Sequence, residues 1–295
     1  MRGNIQEFIQ ILHNKNLVKK EYNHFKRFNG TTNSVIGVLL NNEGEPSVIV
    51  KTDDHQYINL VENFMHEYQS ISLFPKFVYA DSAKGFLVYD FQNGSGDYKK
   101  ENKKEILHQL ATNVLSQLKP VSEYSHWGNL DSPFVSWLDF QEERITYSRN
   151  TIGDILSENE FNMVREIVNR LHSTQNYKPY LLHGDCGFHN FLFNKSSDLV
   201  GVIDPIPTIG PVIHELTFAF CSSSELLNME TISEAAKVLG YNQSTSSLRE
   251  EVIVNLYCRI GTCIRHHPAD LPTYLEAWKA LIQGEGNRIK GKGKG

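Results

Sequence analysis

This chain has no disulfide framework, no bilayer-length apolar run and no long basic stripe, and each absence narrows what it can be. Its 4 cysteines in 295 residues are few and scattered, which predicts reduced thiols and a cytoplasmic setting. No apolar stretch is long enough to span a membrane, and the opening MRGNIQEFIQ lacks the apolar centre of a secretion signal, so no membrane partner is expected. A formal charge of −5 without clustered Lys and Arg argues against a nucleic-acid partner, because phosphate backbones are held by basic stripes. No internal repeat is visible. What is present is the composition of a soluble globular protein, 40% apolar and 21% charged, with length for one large domain or two lobes. Oligomeric state is left open.

The texture divides the chain. HFKRF, SVIGVLL and SVIVK read as three strands separated by the turns NGTTN and NNEGEP. A helical pattern follows, with Ile58, Val61, Met65 and Tyr68 at helical spacing until Pro75 stops it. KFVYA and GFLVYDF then read as two further strands joined by DSAKG. The prediction for residues 1–91 is a five-stranded antiparallel sheet with one helix between its third and fourth strands. QNGSGDYKK reads as a linker, and 92–285 as mainly helical. One helix carries Leu107, Leu110, Val114 and Leu118, and another begins at Ser157, where Glu160 completes a capping-box spacing. Further helices are expected over 211–229, 246–266 and 272–283. Residues 286–295, rich in Gly and Lys, read as a flexible tail. A small α+β lobe followed by a larger helical lobe places a ligand site at their join.

Between those helices lies LLHGDCGFHNFLFNKSSDLVGVIDP (181–205), which admits three readings. His183, Asp185, Cys186 and His189 offer metal-ligand atoms, but no regularly spaced partner pair stands elsewhere; Cys258, Cys263, His266 and His267 fall in a helical pattern with the cysteines off one face. Phosphoryl transfer needs an Asp to orient a hydroxyl and take its proton, and an Asn and a second Asp to hold Mg²⁺ against nucleotide phosphates. Asp185 and Asn190 stand five positions apart, and FLF-NKSSD-LVGVI is a hairpin that returns the chain to Asp204. The third reading is a well-capped hairpin without chemistry.

The stretch resembles the aminoglycoside phosphotransferase family of protein-kinase-like small-molecule kinases, through HGD at 183–185, Asn190 and IDP at 203–205. The form HGD-x-G-x-x-N, with Gly187, is most similar to hygromycin phosphotransferases. The resemblance implies an α+β, protein-kinase-like two-lobe fold, with a nucleotide-binding N-lobe (1–91) and a catalytic and substrate-binding C-lobe (92–285). It implies Asp185 as catalytic base, Asn190 and Asp204 as Mg²⁺ ligands, and ATP or GTP as donor. Lys51 ends the third strand on the face of Ile49, where the family's phosphate-binding lysine stands, with Glu67 as its partner and Glu62 as fallback. Gly30, Thr31, Thr32, Asn33 and Ser34 fall where phosphates are covered, and the backbone of Asp90 and Phe91 where adenine is met. His183, His189 and Glu215 are left to substrate contact or loop support. Two departures stand out: Gly187 occupies a position that is often His, and GPVIHEL (210–216) has Pro211 and Glu215 where the family reads Asp.

The expected reaction is transfer to a hydroxyl of a small molecule, with an aminoglycoside-type antibiotic as the first acceptor. Residues 205–285 carry nine acidic side chains (Glu215, Glu225, Glu230, Glu234, Glu250, Glu251, Asp270, Glu276, Glu285) against five basic ones, an imbalance that would attract a cationic acceptor. A choline, homoserine or sugar kinase, and a nucleotide-binding pseudoenzyme, are the alternatives.

Overall fold

A computed structural model of the chain describes residues 5–28, 34–121, 126–241 and 245–291. Helix α1 (Ile5–Asn14) precedes strands β1 (His24–Arg27), β2 (Val35–Leu40) and β3 (Pro46–Thr52). Helix α2 (His55–Glu67) and strands β4 (Phe77–Asp81) and β5 (Phe86–Asp90) complete the small lobe. Its sheet is antiparallel in the order β1-β2-β3-β5-β4. Alternation along β3 sorts its side chains between two cores. Val48 and Val50 join Leu39, Phe86 and Val88 against α1, whereas Ile49 joins Val38, Leu87 and Tyr89 in the core shared with α2 and the helical lobe.

Helix α1 is an addition to the expected small lobe, which had one helix. Ile5, Phe8, Ile9 and Leu12 recur at helical spacing, and Phe8 stacks on Phe86 with ring centroids 4.0 Å apart. The helix thereby covers a sheet face that would otherwise be apolar and wet. In α2, Asp54 caps the N-terminus by accepting from the Tyr57 amide at 2.8 Å. That cap fixes Tyr57 in the first turn, which matters for the site.

The larger lobe contains α3 (Lys103–Asn113), β6 (Gly128–Asn129), α4 (Trp137–Ile152), α5 (Glu158–Thr174) and β7 (Tyr180–Leu182). There follow β8 (Phe191–Phe193), β9 (Leu199–Val202), β10 (Thr208–Gly210), α6 (Val212–Cys221), α7 (Met229–Val238), α8 (Thr245–His266) and α9 (Leu271–Gly291). Helix α5 starts at the expected capping box, formed by Ser157 and Glu160. Several elements differ from expectation, among them α9, which runs past the expected 283 to Gly291 into the segment read as a flexible tail. Helix α3 stops at Asn113, so Val114 and Leu118 pack from irregular chain. The helix expected over 211–229 ends at Cys221, and a separate helix, α7, starts at Met229 where Asn228 caps it. Helix α4 was not foreseen: two of its six buried positions, Gln141 and Ser148, are polar and dilute its period. The segment after β5 docks rather than dangles, with Ser95 and Phe193 exchanging backbone hydrogen bonds of 3.0 and 2.8 Å. Among the described residues no helix is long and apolar enough to cross a membrane.

Candidate active site

The candidate site is built at the lobe junction on strand β7, which pairs with β10, and on the β8–β9 hairpin between them. Strand β7 leads into His183-Gly184-Asp185, and β8 and β9 pair antiparallel so that the chain returns to Asp204. The two ends are braced together: Ile206 N–H donates to His183 O at 2.8 Å, and Ile203 N–H donates to Asn190 O at 2.9 Å. The His183 ring adds a third brace, Nε2 to Ile203 O at 3.0 Å. A carbonyl only accepts, so the proton sits on Nε2. Burial pushes the His183 imidazole down to about 4, keeping it neutral. His183 is thus a strut, not a substrate contact.

Gly184 holds the tightest turn, at φ +80, where a Cβ would stand 1.8 Å from Ile206 O. Its N–H donates to Glu215 Oε1 at 2.9 Å. Glu215 is fully buried, and burial pushes its carboxyl up to about 8 against the lowering effect of the Gly184 N–H. Glu215 therefore braces the loop from α6 and does not line the open cavity beside Asp185. Asp204 adopts a left-handed φ of +61, uncommon for a residue with a side chain. The strain is on the order of 1 kcal/mol and is held by the braces around it.

Asp185 receives two donors on one carboxylate oxygen, Asn190 Nδ2 at 2.9 Å and His189 Nε2 at 3.1 Å, both to Oδ2. Asn190 Nδ2 also donates to the Asp185 carbonyl at 2.9 Å. Both partners can only accept, so the amide nitrogen must face Asp185, which leaves Asn190 Oδ1 as a free oxygen ligand. With the Asp204 carboxylate this makes an all-oxygen donor set, suited to a hard divalent cation such as Mg²⁺. Cys186 is fully buried and carries a thiol raised well above its usual range by burial and by Glu215, which disfavours a thiolate ligand. Among the described residues no three His, Cys, Asp or Glu side chains are grouped to hold a metal.

Lys51 reaches the same place from β3, buried on the α2 side as the alternation required. Its ammonium pairs with Asp204 Oδ1 and donates to Tyr57 Oη at 2.7 Å. The expected Lys51–Glu67 pair is not formed. Glu67 pairs with Lys119 at 2.7 Å at the exposed end of α2, and Glu62 lies 3.8 Å from His66. Tyr57 takes the place expected of the glutamate. Its hydroxyl donates to Pro205 O at 3.0 Å and lies 3.4 Å from Asp204 Oδ1. Burial and then the Asp204 charge hold that hydroxyl protonated by raising its pKa.

The remaining nucleotide-side positions are less complete. Gly30, Thr31, Thr32 and Asn33 lie outside the described residues. Ser34 Oγ donates to Asp53 Oδ2 at 2.5 Å, tying the end of that turn to the segment before α2. The Asp90 N–H donates to Lys76 O at 2.9 Å and the Phe91 N–H to Ser47 O at 3.1 Å. As they stand, neither N–H is available to an adenine.

On its other side Asp185 opens onto a cavity of about 440 Å³ walled by α4, α6 and α8. His189 lines it as well. The acidic surplus of 205–285 does not: among the described residues Asp185 is the only carboxylate on the wall, while Arg144, Arg259 and Arg265 all stand on it. The expectation of an acidic acceptor surface is corrected accordingly. Glu230, Glu234, Asp270 and Glu276 are exposed elsewhere, and Glu250 and Glu251 are buried. Glu285 is not among the side chains described.

No family model matches the sequence, and no curated protein matches it. Solved structures do. The streptomycin–ATP ternary complex of APH(2")-IIa superposes with a TM-score of 0.59 at 17% identity, covering 96% of this chain and 97% of that one. A choline kinase from Cryptosporidium parvum Iowa II gives 0.62 at 10% identity, covering 98% and 97%. The GDP complex of aminoglycoside 2'-phosphotransferase-IIIa gives 0.58 at 13% identity, covering 96% and 100%. The chain therefore has the two-lobe, protein-kinase-like fold of small-molecule kinases along nearly its whole length.

Proposed function

We propose that the protein is a phosphotransferase that moves the γ-phosphoryl group of ATP or GTP to a hydroxyl of a small molecule. Residues 1–91 hold the nucleotide, and 92–285 hold the base and the acceptor. The observation that carries this reading is the Asn190 clamp. It fixes Asp185 through nitrogen and so leaves an amide oxygen free, on the residue whose backbone carbonyl the Ile203 N–H ties to the end of the hairpin where Lys51 pairs with Asp204. A merely capped hairpin has no need of that arrangement, nor of a lysine arriving from the other lobe.

In this reading Asp185 orients the acceptor hydroxyl and takes its proton through Oδ1, the oxygen that neither Asn190 nor His189 engages. Lys51 steadies the phosphates, with Tyr57 setting its position. Asn190 Oδ1 and Asp204 would hold Mg²⁺, which would neutralise charge on the phosphates. Positioning and electrostatics provide most of the acceleration, because the phosphoryl transition state is loose. The hygromycin-like assignment rests on the HGD-x-G-x-x-N form alone. An aminoglycoside-type acceptor, with a role in antibiotic resistance, is one reading. The arginines on the cavity wall favour the alternative, a metabolite kinase.

The test is nucleotide consumption across a panel of hydroxylated acceptors, with two variants alongside. Asp185→Asn should bind nucleotide as the parent does while losing about 100-fold or more in kcat. Asp204→Ala should lose turnover together with the Mg²⁺ dependence of nucleotide binding. Near-parental kcat in Asp185→Asn removes the base assignment, and unchanged Mg·ATP affinity in Asp204→Ala removes the metal role. Nucleotide binding without turnover of any acceptor would favour the pseudoenzyme.

A further inference from the structure

The cavity beside Asp185 is not charged like the segment that forms it. Arg144 comes from α4, and Arg259 and Arg265 from α8. None of these three forms a salt bridge among the described residues. Each is held instead by neutral groups. Arg144 donates to Gln141 Oε1 at 2.6 Å and Asn255 Oδ1 at 3.0 Å. Arg259 Nε donates to Tyr274 Oη at 3.0 Å, and Arg265 donates to Tyr147 Oη. Each guanidinium also lies over an aromatic ring: Arg144 over Phe140 at 5.6 Å, Arg259 over Tyr274 at 5.6 Å and Arg265 over Tyr147 at 4.5 Å.

This arrangement fixes the planes of the guanidinium groups without cancelling their charge. Glu251, a buried carboxyl that Arg144 influences, accepts from Tyr177 Oη at 2.5 Å and is pushed up to about 7 by burial. It therefore offsets Arg144 only in part at neutral pH. A polycationic acceptor bound here would meet three positive groups on the wall it shares with Asp185. A carboxylate or phosphate would meet oriented forked donors that lack an anionic partner. The volume, about 440 Å³, lies toward the small end of ligand pockets and suits a monosaccharide-sized compound.

We infer that the acceptor is a small hydroxylated anion, a polyhydroxy carboxylate or a sugar phosphate, whose anionic group is held by Arg144, Arg259 and Arg265 while its hydroxyl is presented to Asp185. This rests on the kinase reading for the role of Asp185, but the anion-binding half is measurable without catalysis. Calorimetry on the full chain would compare D-gluconate and glucose 6-phosphate with glucose, glucosamine and gentamicin, in the absence and presence of Mg·ATP. At least one of the two anions should bind about 10-fold or more tightly than the neutral and cationic probes, and more weakly as salt rises. Which anion binds distinguishes carboxylate from phosphate. Arg259→Gln and Arg265→Gln should each weaken that binding about 5-fold or more, with Arg265→Lys restoring part of it and nucleotide affinity unchanged throughout. Arg265 is exposed, so its variants fold even if Arg259→Gln does not. Tighter binding of gentamicin or glucosamine, no binding of either anion, or anion binding indifferent to both arginine variants would overturn the inference. Anion binding in a protein that never binds nucleotide would overturn the kinase reading, and the acceptor role with it, while leaving the anion pocket in view.

Discussion

Replacing Glu215 with Gln should change how stability depends on pH, with little effect on packing. The side chain is fully buried, Oε1 accepts from Gly184 N–H at 2.9 Å, and Oε2 has no hydrogen-bond partner. Burial pushes this carboxyl from 4.5 up to about 8. The folded chain therefore holds a proton that the unfolded chain releases between those values. Stability from this group is fully present below pH 4.5 and is lost as pH rises through about 8. At about 1.4 kcal/mol per pH decade the whole window is on the order of 5 kcal/mol, and relaxation and water entry would leave roughly 2–3 kcal/mol of it. Gln keeps an acceptor for Gly184 and has no proton to lose. Urea unfolding at pH 5 and pH 8 should show the two proteins alike at the lower pH and Glu215→Gln more stable at the higher one, by about 2–3 kcal/mol. Glu251 and Lys103 also titrate near pH 7, the former raised and the latter lowered by burial, but both are present in each protein and cancel in the difference. Parallel pH dependence in the two proteins would refute the assignment of a buried proton to Glu215.

Two further outcomes follow from the braces around the site. Lys51→Ala should raise the nucleotide KM about 10-fold or more as well as lowering kcat, whereas Tyr57→Phe, which keeps the ammonium but loses its hydroxyl partner, should have a smaller effect on KM and cost about 1–2 kcal/mol in urea unfolding. Equal KM effects would mean that Tyr57 does more than position Lys51. Gly184→Ala meets both a φ of +80 and a carbonyl 1.8 Å from the new Cβ, while Gly44→Ala meets a φ of +85 with nothing within 4 Å. The first should cost roughly 3 kcal/mol or more and the second about 1–2 kcal/mol; thermal melts giving the same loss for both would show that the collision is relieved by movement of Ile206.

The geometry of residues 181–205 was legible because it is local. Asp185 and Asn190 lie in one short loop, and the hairpin that leads from Asn190 back to Asp204 is written as two apolar runs around NKSSD. Lys51 was legible for a similar reason, since strand alternation decides its face without knowledge of the other lobe. Its partner was not, although the signal existed. The buried face of α2 is set by Ile58, Val61, Phe64 and Met65. At about 100° per residue Tyr57 falls roughly 50° from the centre of that face and Glu67 roughly 130° away. Counting the angle excludes the glutamate that family precedent suggested. Helix α1 carried the same kind of signal in Ile5, Phe8, Ile9 and Leu12, and gave no motif to draw attention to it.

The charge of the cavity beside Asp185 is the part that composition misdirected. A surplus of acidic residues over 205–285 sums over every face of the helices, whereas a bound molecule meets only the faces turned inward. Two of the arginines that decide the charge of the cavity come from that acidic segment, and the third, Arg144, comes from α4, a helix hidden in the sequence by its buried Gln141 and Ser148. Those polar positions have a structural reason. Gln141 accepts from Arg144 and Ser148 stands on the cavity wall, so α4 turns a polar stripe toward α8 where Asn255 completes the hold on Arg144. The feature that obscured the helix in the sequence is therefore the one that assembles the arginine side of the cavity beside Asp185.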